Sequence, residues 1–327
     1  MNFWENLPKP IFALAPMEDV TDTVFRRLLR EINSTEDSIR PDVMFTEFTS
    51  VEGIESEGAE MVMKRLKYTE VERPLVAQIW GITPENYFNS AKKIAELGFD
   101  GIDINMGCPV KKIIKKGACS ALIESHSLAK EIVEATKEGS NGLPVSVKTR
   151  IGFKTIQTED WIGFLLAETI PVTLTVHGRT VKELSKVPNH WDEIGKAVKL
   201  RDEIQSGVKQ KTLILGNGDV NSHAFGMEMI EKYSLDGIMI GRGVFENPWI
   251  FNPDVNLEEK TMEEKVNVMM RHIELFNEVW GESKSFNVLK KYFKIYVNGF
   301  RGAKELRMKL METSTPNECI DVVKSEL

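Results

Sequence analysis

Eight short runs rich in apolar and β-branched residues recur over the first 243 residues, and their alternation with helical patterns limits the fold more than any other feature. They are IFALAP (11–16), VMFTEF (43–48), PLVAQIWG (74–81), GIDINMG (101–107), PVSVKTRIG (144–152), VTLTVHGR (172–179), TLILGNGD (212–219) and GIMIGRG (237–243). Helical stretches such as PENYFNSAKKIAELG (84–98) and SLAKEIVEATKEG (127–139) lie between most of them. Pro84 suits a first helical turn, and Gly98 and Gly139 suit C-terminal stops. The stretch between the second and third runs shows no clear pattern. Eight strand–helix units predict an α/β fold, a (β/α)8 TIM barrel. A doubly wound open sheet shares the alternation, but the count of eight and a span of roughly 240 residues, near the ~250 typical of the barrel, favour closure. After NPWIFNPDVNLEEK (247–260) the spacing is helical from Thr261 to Leu327 with no convincing strand. The expected organisation is a catalytic barrel over 1–255 and a small all-helical C-terminal domain over 256–327.

Composition removes several function classes. Hydrophobic residues at 42% and charged residues at 28% describe an ordinary soluble chain. No run approaches the roughly 18 apolar residues of a membrane span. The start, MNFWENLPKPIFALAP, lacks the basic n-region and small-residue cleavage site of a secretory signal. Cys108, Cys119 and Cys319 are too few and scattered for a disulfide framework and lack zinc spacing. A cytoplasmic protein with no metal and no membrane partner is expected. The net charge of −7, taken alone, argues against a nucleic-acid partner.

In such a barrel the chemistry sits at the C-terminal ends of the strands, and polar residues fall there in nearly every unit. Met17 follows the first run, Glu47 and Gln78 lie in the second and third, and Asn105 and Cys108 close the fourth. Lys148 and His177 lie in the fifth and sixth, Asn217 and Asp219 end the seventh, and Arg242 ends the eighth. The glycines of LGNGDV and IGRGVF, on adjacent strands, suit a phosphate nest. Lys148 alternates with Val145 and Val147, which puts it inside the barrel mouth. A cation there needs an anionic partner, such as a reduced flavin charged near N1. His177 makes no metal pattern with another histidine and suits a donor to a cofactor ring. Cys108 stands between Gly107 and Pro109, at the exit of its run. No Cys–His pair is visible, and an unperturbed thiol with a pKa of about 8.5 is mostly protonated at neutral pH, which suits a general acid. Cys119 reads as a small packed residue and Cys319 as structural.

Together these stretches resemble the tRNA-dihydrouridine synthase family. The matching segments are APMEDVTDTVFR (15–26), TEF (46–48), AQIWG (77–81), DINMGCPVKKIIKKGA (103–118), VKTRIG (147–152), VHGRT (176–180), GNGDV (216–220), GRGVFENPWIF (241–251) and LKKYFKIYVNGFRGAKELRMKLM (289–311). The resemblance implies flavin mononucleotide at the top of the barrel, NADPH or NADH as reductant, and reduction of the C5–C6 double bond of uridine in the D-loop of tRNA. By position it implies that Pro16, Met17, Glu18, Gln78, Lys148, His177, Asn217, Gly218, Asp219, Gly241 and Arg242 bind the cofactor. Cys108 would protonate C5, Asn105 would help place the base, and Arg179, Lys290, Lys291 and Arg301 would contact RNA. A monomer is expected. After VHGRT the family continues with a glutamine and a tyrosine ahead of a tryptophan; here the run is VKELSKVPNHWDEI (181–194), which keeps only Trp191.

The resemblance also answers the charge objection. Between Phe286 and Leu310 seven cations face one acid, Glu305, and Lys111, Lys112, Lys115 and Lys116 follow Cys108. An acidic chain can carry a basic face for phosphates. Tyr292, Phe293 and Tyr296 read as core rather than as stacking platforms. Two other functions fit parts of the pattern: a flavin-dependent reductase of a free pyrimidine, in the manner of dihydroorotate dehydrogenases, and a tRNA-binding protein without catalysis.

Overall fold

The computed structural model describes residues 2–326. Eight parallel strands form a closed barrel: β1 (Ile11–Leu14), β2 (Val43–Phe45), β3 (Leu75–Trp80), β4 (Gly101–Met106), β5 (Val145–Arg150), β6 (Thr173–His177), β7 (Leu213–Asn217) and β8 (Gly237–Ile240). Each pairs with the next, and β8 returns to β1 with Ile11 opposite Gly237. A two-residue segment, Thr49–Ser50, adds to β3 beside Ile79 and Trp80. The strands stop one to three residues short of the predicted runs at their C-terminal ends. The residues released there form the mouth, and Glu47 lies beyond β2 rather than in it.

The helices are α1 (Thr23–Asn33), α2 (Pro84–Glu96), α3 (His126–Gly139), α4 (Trp191–Ile204) and α5 (His223–Tyr233) around the barrel. Gly98, with φ +82°, ends α2 as a left-handed stop. Gly139 does not serve as a stop. It is the last residue of α3, and a Cβ there would stand 2.1 Å from the Phe88 carbonyl oxygen. Its missing side chain lets α2 and α3 approach closely, and Asn141 and Gly142 carry the positive φ instead.

Period-two alternation separates two cores. Outward Ile102, Ile104, Val145 and Val147 pack under the helices. Inward Ile11, Ala13, Val43, Phe45, Val76, Leu215 and Met239 form a small inner core, closed from below by Trp4 of the N-terminal turn. Towards the C-terminal ends the inward positions turn polar: Gln78, Asp103, Asn105, Ser146, Lys148 and Asn217. The barrel is thus filled with hydrocarbon below and with hydrogen-bonding groups above.

Beyond the barrel, α6 (Met262–Val279) begins at a capping box of Thr261 and Glu264 and lies along α1. Ion pairs Arg271–Glu31 (2.8 Å) and Arg27–Glu278 (3.0 Å) cross that seam. Two further helices, α7 (Ala303–Glu312) and α8 (Pro316–Glu326), complete the chain. Tyr292, Phe293 and Tyr296 are buried, in one apolar core that runs from the barrel shell into these helices. Among the described residues no helix is long and apolar enough to cross a membrane.

Candidate active site

A cavity of about 420 Å³ opens at the C-terminal face of the barrel, within the ~300–1,000 Å³ usual for small-molecule sites. Pro16 and Met17 wall one side, Lys148 and His177 the floor, and Gly218, Asp219, Gly241 and Arg242 the other side. The ends of β1, β5, β6, β7 and β8 therefore meet around one space.

The walls at β7 and β8 are built for an anion. Gly218 and Asp219 take successive positive φ values, +126° and +53°, a backbone that turns amide N–H groups to one side. A Cβ at Gly218 would lie 2.2 Å from Oδ1 of Asn189, so glycine is required there on two counts. Arg242 is exposed at the rim, with Nη2 3.5 Å from Oδ1 of Asp219. The other oxygen of Asp219 accepts from Arg179. Two guanidinium groups thus offset the one carboxylate beside the nest.

Lys148 donates from Nζ to Oδ1 of Asn217 at 3.0 Å, and Nδ2 of Asn217 donates to the Met239 carbonyl at 2.8 Å. The ammonium rests on a neutral amide, not on a carboxylate. Burial, and then repulsion from Arg150, pull its pKa down to about 8, so it stays mostly charged at neutral pH. His177 is held neutral: burial leads, and Arg150, Lys148, Arg179 and Arg242 add to it. Its Nε2 lies 3.4 Å from Nη1 of Arg179. An arginine only donates, which assigns the imidazole proton to Nδ1.

Beneath the cavity Gln78 and Asn105 join a network whose centre, Asp103, no sequence motif singles out. Asp103, fully buried, accepts from Nε2 of Gln78 at 2.7 Å and from Oγ of Ser146 at 2.6 Å. Burial raises its pKa to about 6. Oε1 of Gln78 accepts from Nδ2 of Asn105 at 2.9 Å. Gln78 is therefore part of the layer supporting Lys148, and it does not line the cavity. The inward position of Asp103 in GIDINMG was the available signal, since it shares a face with Asn105.

Asn105 spends its amide on the chain itself. Its Oδ1 accepts from the backbone N–H groups of Gly107 and Cys108, both at 3.0 Å. It fixes the turn that presents Cys108, one strand over from Lys148, its register partner in β5. Arg150 holds the same turn from the other side. Its Nε donates to the Gly107 carbonyl at 2.8 Å, and its Nη1 donates to the carbonyls of Thr180 (3.2 Å) and Leu184 (3.1 Å).

The thiol of Cys108 departs from the unperturbed expectation. Its pKa is drawn down to about 7, first by a hydrogen bond from the Cys119 thiol, then by a backbone N–H of Val110 and the charge of Arg150, against burial. At neutral pH the thiol and thiolate forms are comparably populated. Cys119 is buried as expected, but it is also the nearest chemical partner of Cys108.

Two predicted cofactor and substrate residues point elsewhere. Glu18 pairs with Arg65 outside the cavity. Arg179 is 2% exposed and joins Asp219, with Nε donating to the Val187 carbonyl at 2.7 Å, so it braces the divergent 181–194 loop rather than facing outward. Near Glu18, burial and then the charge of Asp22 push Glu47 up to about 7. Lys290 donates to the Met311 carbonyl at 2.8 Å, Lys291 reaches the Asp19 carbonyl at the mouth, and Arg301 is exposed ahead of α7. Among the described residues no group of three or more His, Cys, Asp or Glu is arranged to hold a metal.

Comparison with known proteins bears on all of this. Residues 13–326 match the family described as "Dihydrouridine synthase (Dus)". A "Probable tRNA-dihydrouridine synthase" of Staphylococcus aureus strain COL is 46% identical over 317 residues, covering 96% of this chain and 92% of that one. A "Probable tRNA-dihydrouridine synthase 2" of Bacillus subtilis strain 168 is 44% identical over 320 residues, covering 97% and 94%. Among solved structures, morphinone reductase superposes with a TM-score of 0.52 at 12% identity, over 75% of this chain and 84% of that one, a likeness of fold alone.

Proposed function

We propose that this chain, which belongs to the dihydrouridine synthase family, reduces the C5–C6 double bond of uridine in tRNA, with Cys108 as the proton donor to C5. It is an enzyme, a flavin-dependent oxidoreductase of that family. The observation that carries the reading is a juxtaposition: a cysteine fixed on a rigid turn beside a cavity with a cation on its floor and an anion nest in its wall.

The site fits flavin mononucleotide. Gly218, Asp219, Gly241 and Arg242 would hold its phosphate, Lys148 an electron-rich edge of the ring, and Nδ1–H of His177 a ring acceptor. When bound, the cofactor supplies the hydride equivalent that C6 receives, with NADPH or NADH as the source of electrons. Asn105 and Arg150 keep the Cys108 turn from moving, so the proton donor is pre-positioned and its entropy cost is met in folding. As the C5–C6 π bond opens, the proton on Sγ passes to C5 and leaves a thiolate. A pKa of about 7 allows that thiolate to be reprotonated from water at neutral pH. The uracil must leave the stacked RNA to reach this depth. The exposed lysines 111, 112, 115 and 116 on the Cys108 side, and Lys294 and Lys304 beyond the barrel, supply positive charge for phosphates. On this reading the helices after residue 255 form the tRNA-binding part.

Two results are expected. Arg242→Ala weakens flavin mononucleotide by about tenfold, the worth of one charge-assisted contact, but leaves the affinity for riboflavin, which has no phosphate, unchanged. Fluorescence titration with both flavins measures this, and equal weakening of both contradicts the phosphate assignment. Second, the acid form of Cys108 is the active one, so single-turnover uridine reduction falls as pH rises through about 7. Cys119→Gly removes the hydrogen bond that stabilises the thiolate and moves that fall to higher pH. A pH–rate profile that does not move refutes the role given to the Cys119 hydrogen bond.

A further inference from the structure

Cys119 transfers nothing in the reduction just described, yet its placement is unusual. It is fully buried and takes φ +54°, a left-handed conformation that glycine adopts freely and other residues adopt at a cost. The Cys119 thiol is the influence that most lowers the pKa of Cys108. The next residue, Ser120, donates from Oγ to the Cys108 carbonyl at 2.7 Å, which ties the two segments together. Cys108 is partly exposed at the mouth and Cys119 lies behind it. The pair therefore has an outer thiol that small oxidants reach and an inner thiol shielded from them. This is the arrangement of an attacking cysteine and its resolving partner.

We propose that Cys108 and Cys119 close into a reversible intramolecular disulfide when hydrogen peroxide is present, an oxidation site that withdraws the proton donor from use. The Cys108 thiolate attacks one oxygen of the peroxide, the O–O bond breaks, and hydroxide leaves; the sulfur becomes a sulfenic acid. The sulfur of Cys119 then attacks that sulfur, its proton goes to the departing hydroxyl, and water leaves. In sum two thiols and one peroxide give one disulfide and two waters, with sulfur oxidised and peroxide oxygen reduced. A thiolate form populated at neutral pH makes the first step available without a separate base. Burial pushes the Cys119 thiol up, so it attacks as the neutral thiol, and its fixed place behind Cys108 favours this step over a further attack by peroxide from solution. Bond formation depends on these two residues alone; its consequence for turnover rests on the function proposed above.

The test uses the full chain carrying its flavin, treated with an equimolar amount of hydrogen peroxide. It is then denatured in an alkylating reagent and digested with trypsin without reductant. Lys111, Lys112, Lys115 and Lys116 separate the two cysteines, so a disulfide joins two peptides that are otherwise distinct. The expected result is that linked pair, an intact mass lower by two hydrogens, and an alkylated Cys319. Cys319 is buried in the C-terminal helices, its pKa pushed up to about 11. Dithiothreitol is expected to restore both thiols and uridine reduction. In Cys119→Gly, where glycine suits the left-handed backbone, a several-fold excess of peroxide is expected to give Cys108 two oxygens, one from each of two peroxides, and activity that dithiothreitol does not restore. Native protein in which Cys108 gains oxygen while Cys119 remains free to alkylate would overturn the proposal, whether or not the variant folds. A linked pair in a chain that does not reduce uridine supports the disulfide and tells against the proposed function.

Discussion

Replacing Cys108 with alanine is expected to slow dihydrouridine formation by about 10²–10⁴-fold, the range for loss of a positioned general acid, without loss of flavin. The cavity residues include Lys148, His177, Asn217, Gly218, Asp219 and Arg242, and none of these is hydrogen-bonded to the Cys108 side chain. The turn itself is held through the backbone N–H groups of residues 107 and 108, which alanine keeps. The absorbance of bound flavin and the rate at which NADPH reduces it should therefore match those of the native chain. Only the step that consumes the reduced form with uridine should slow. If the variant makes dihydrouridine within a few-fold of the native rate, Cys108 is not the acid, and water or another side chain delivers the proton.

The largest expected effect on stability lies outside the cavity, at Glu72. Arg26 and Glu72 form a pair with both side chains at 0% exposure, Nε to Oε2 at 2.6 Å. Oε1 of Glu72 also accepts from Oγ1 of Thr23 at 2.5 Å and from the backbone N–H of Thr69 at 2.7 Å. Arg30, from the next turn of α1, donates to the carbonyls of Glu72 (3.1 Å) and Arg73 (2.9 Å). One carboxylate thus fastens α1 to the segment that leads into β3. Glu72→Ala would leave the Arg26 guanidinium buried with only the carbonyls of Thr21 and Lys67 as acceptors. Breaking a buried pair by removing one partner costs about 3–5 kcal/mol. Chemical denaturation should show that loss as a lower midpoint at unchanged slope. A change below about 1 kcal/mol, the usual worth of an exposed pair, would show that the network contributes little.

That network also marks where the sequence stopped being readable. The eight strands, the closure and the mouth were legible because they follow from local alternation: Val145 and Val147 against Ser146 and Lys148 states which side is inside. The glycines of LGNGDV and IGRGVF, at the ends of adjacent strands, pointed to the wall where Gly218 and Asp219 take positive φ. The stretch between β2 and β3 was not legible, because its order comes from contacts 46 and 42 positions away in the chain, Arg26 and Arg30 to Glu72. No period within the segment encodes them. The same reason hid the Cys108–Cys119 contact, which a loop and a left-handed residue create. Asn105 and Arg179 were identified as site residues, but their tasks were assigned by where they sit. Their hydrogen bonds show that they brace other residues: Asn105 the cysteine turn, Arg179 the carboxylate beside the nest. Asp103 could have been found, since an acid on the inward face of an apolar strand must be paired or neutral.

The most direct test of the central claim is chemical. Purified protein, loaded with flavin mononucleotide and supplied with NADPH, is incubated with tRNA that lacks dihydrouridine, and the digested nucleosides are quantified by mass. The expected result is dihydrouridine at the mass of uridine plus two hydrogens, dependent on flavin and NADPH, with fragment mapping placing it in the D-loop. Flavin-loaded protein that leaves the tRNA unchanged but oxidises NADPH when given a free pyrimidine would contradict the account and identify a small-molecule reductase instead.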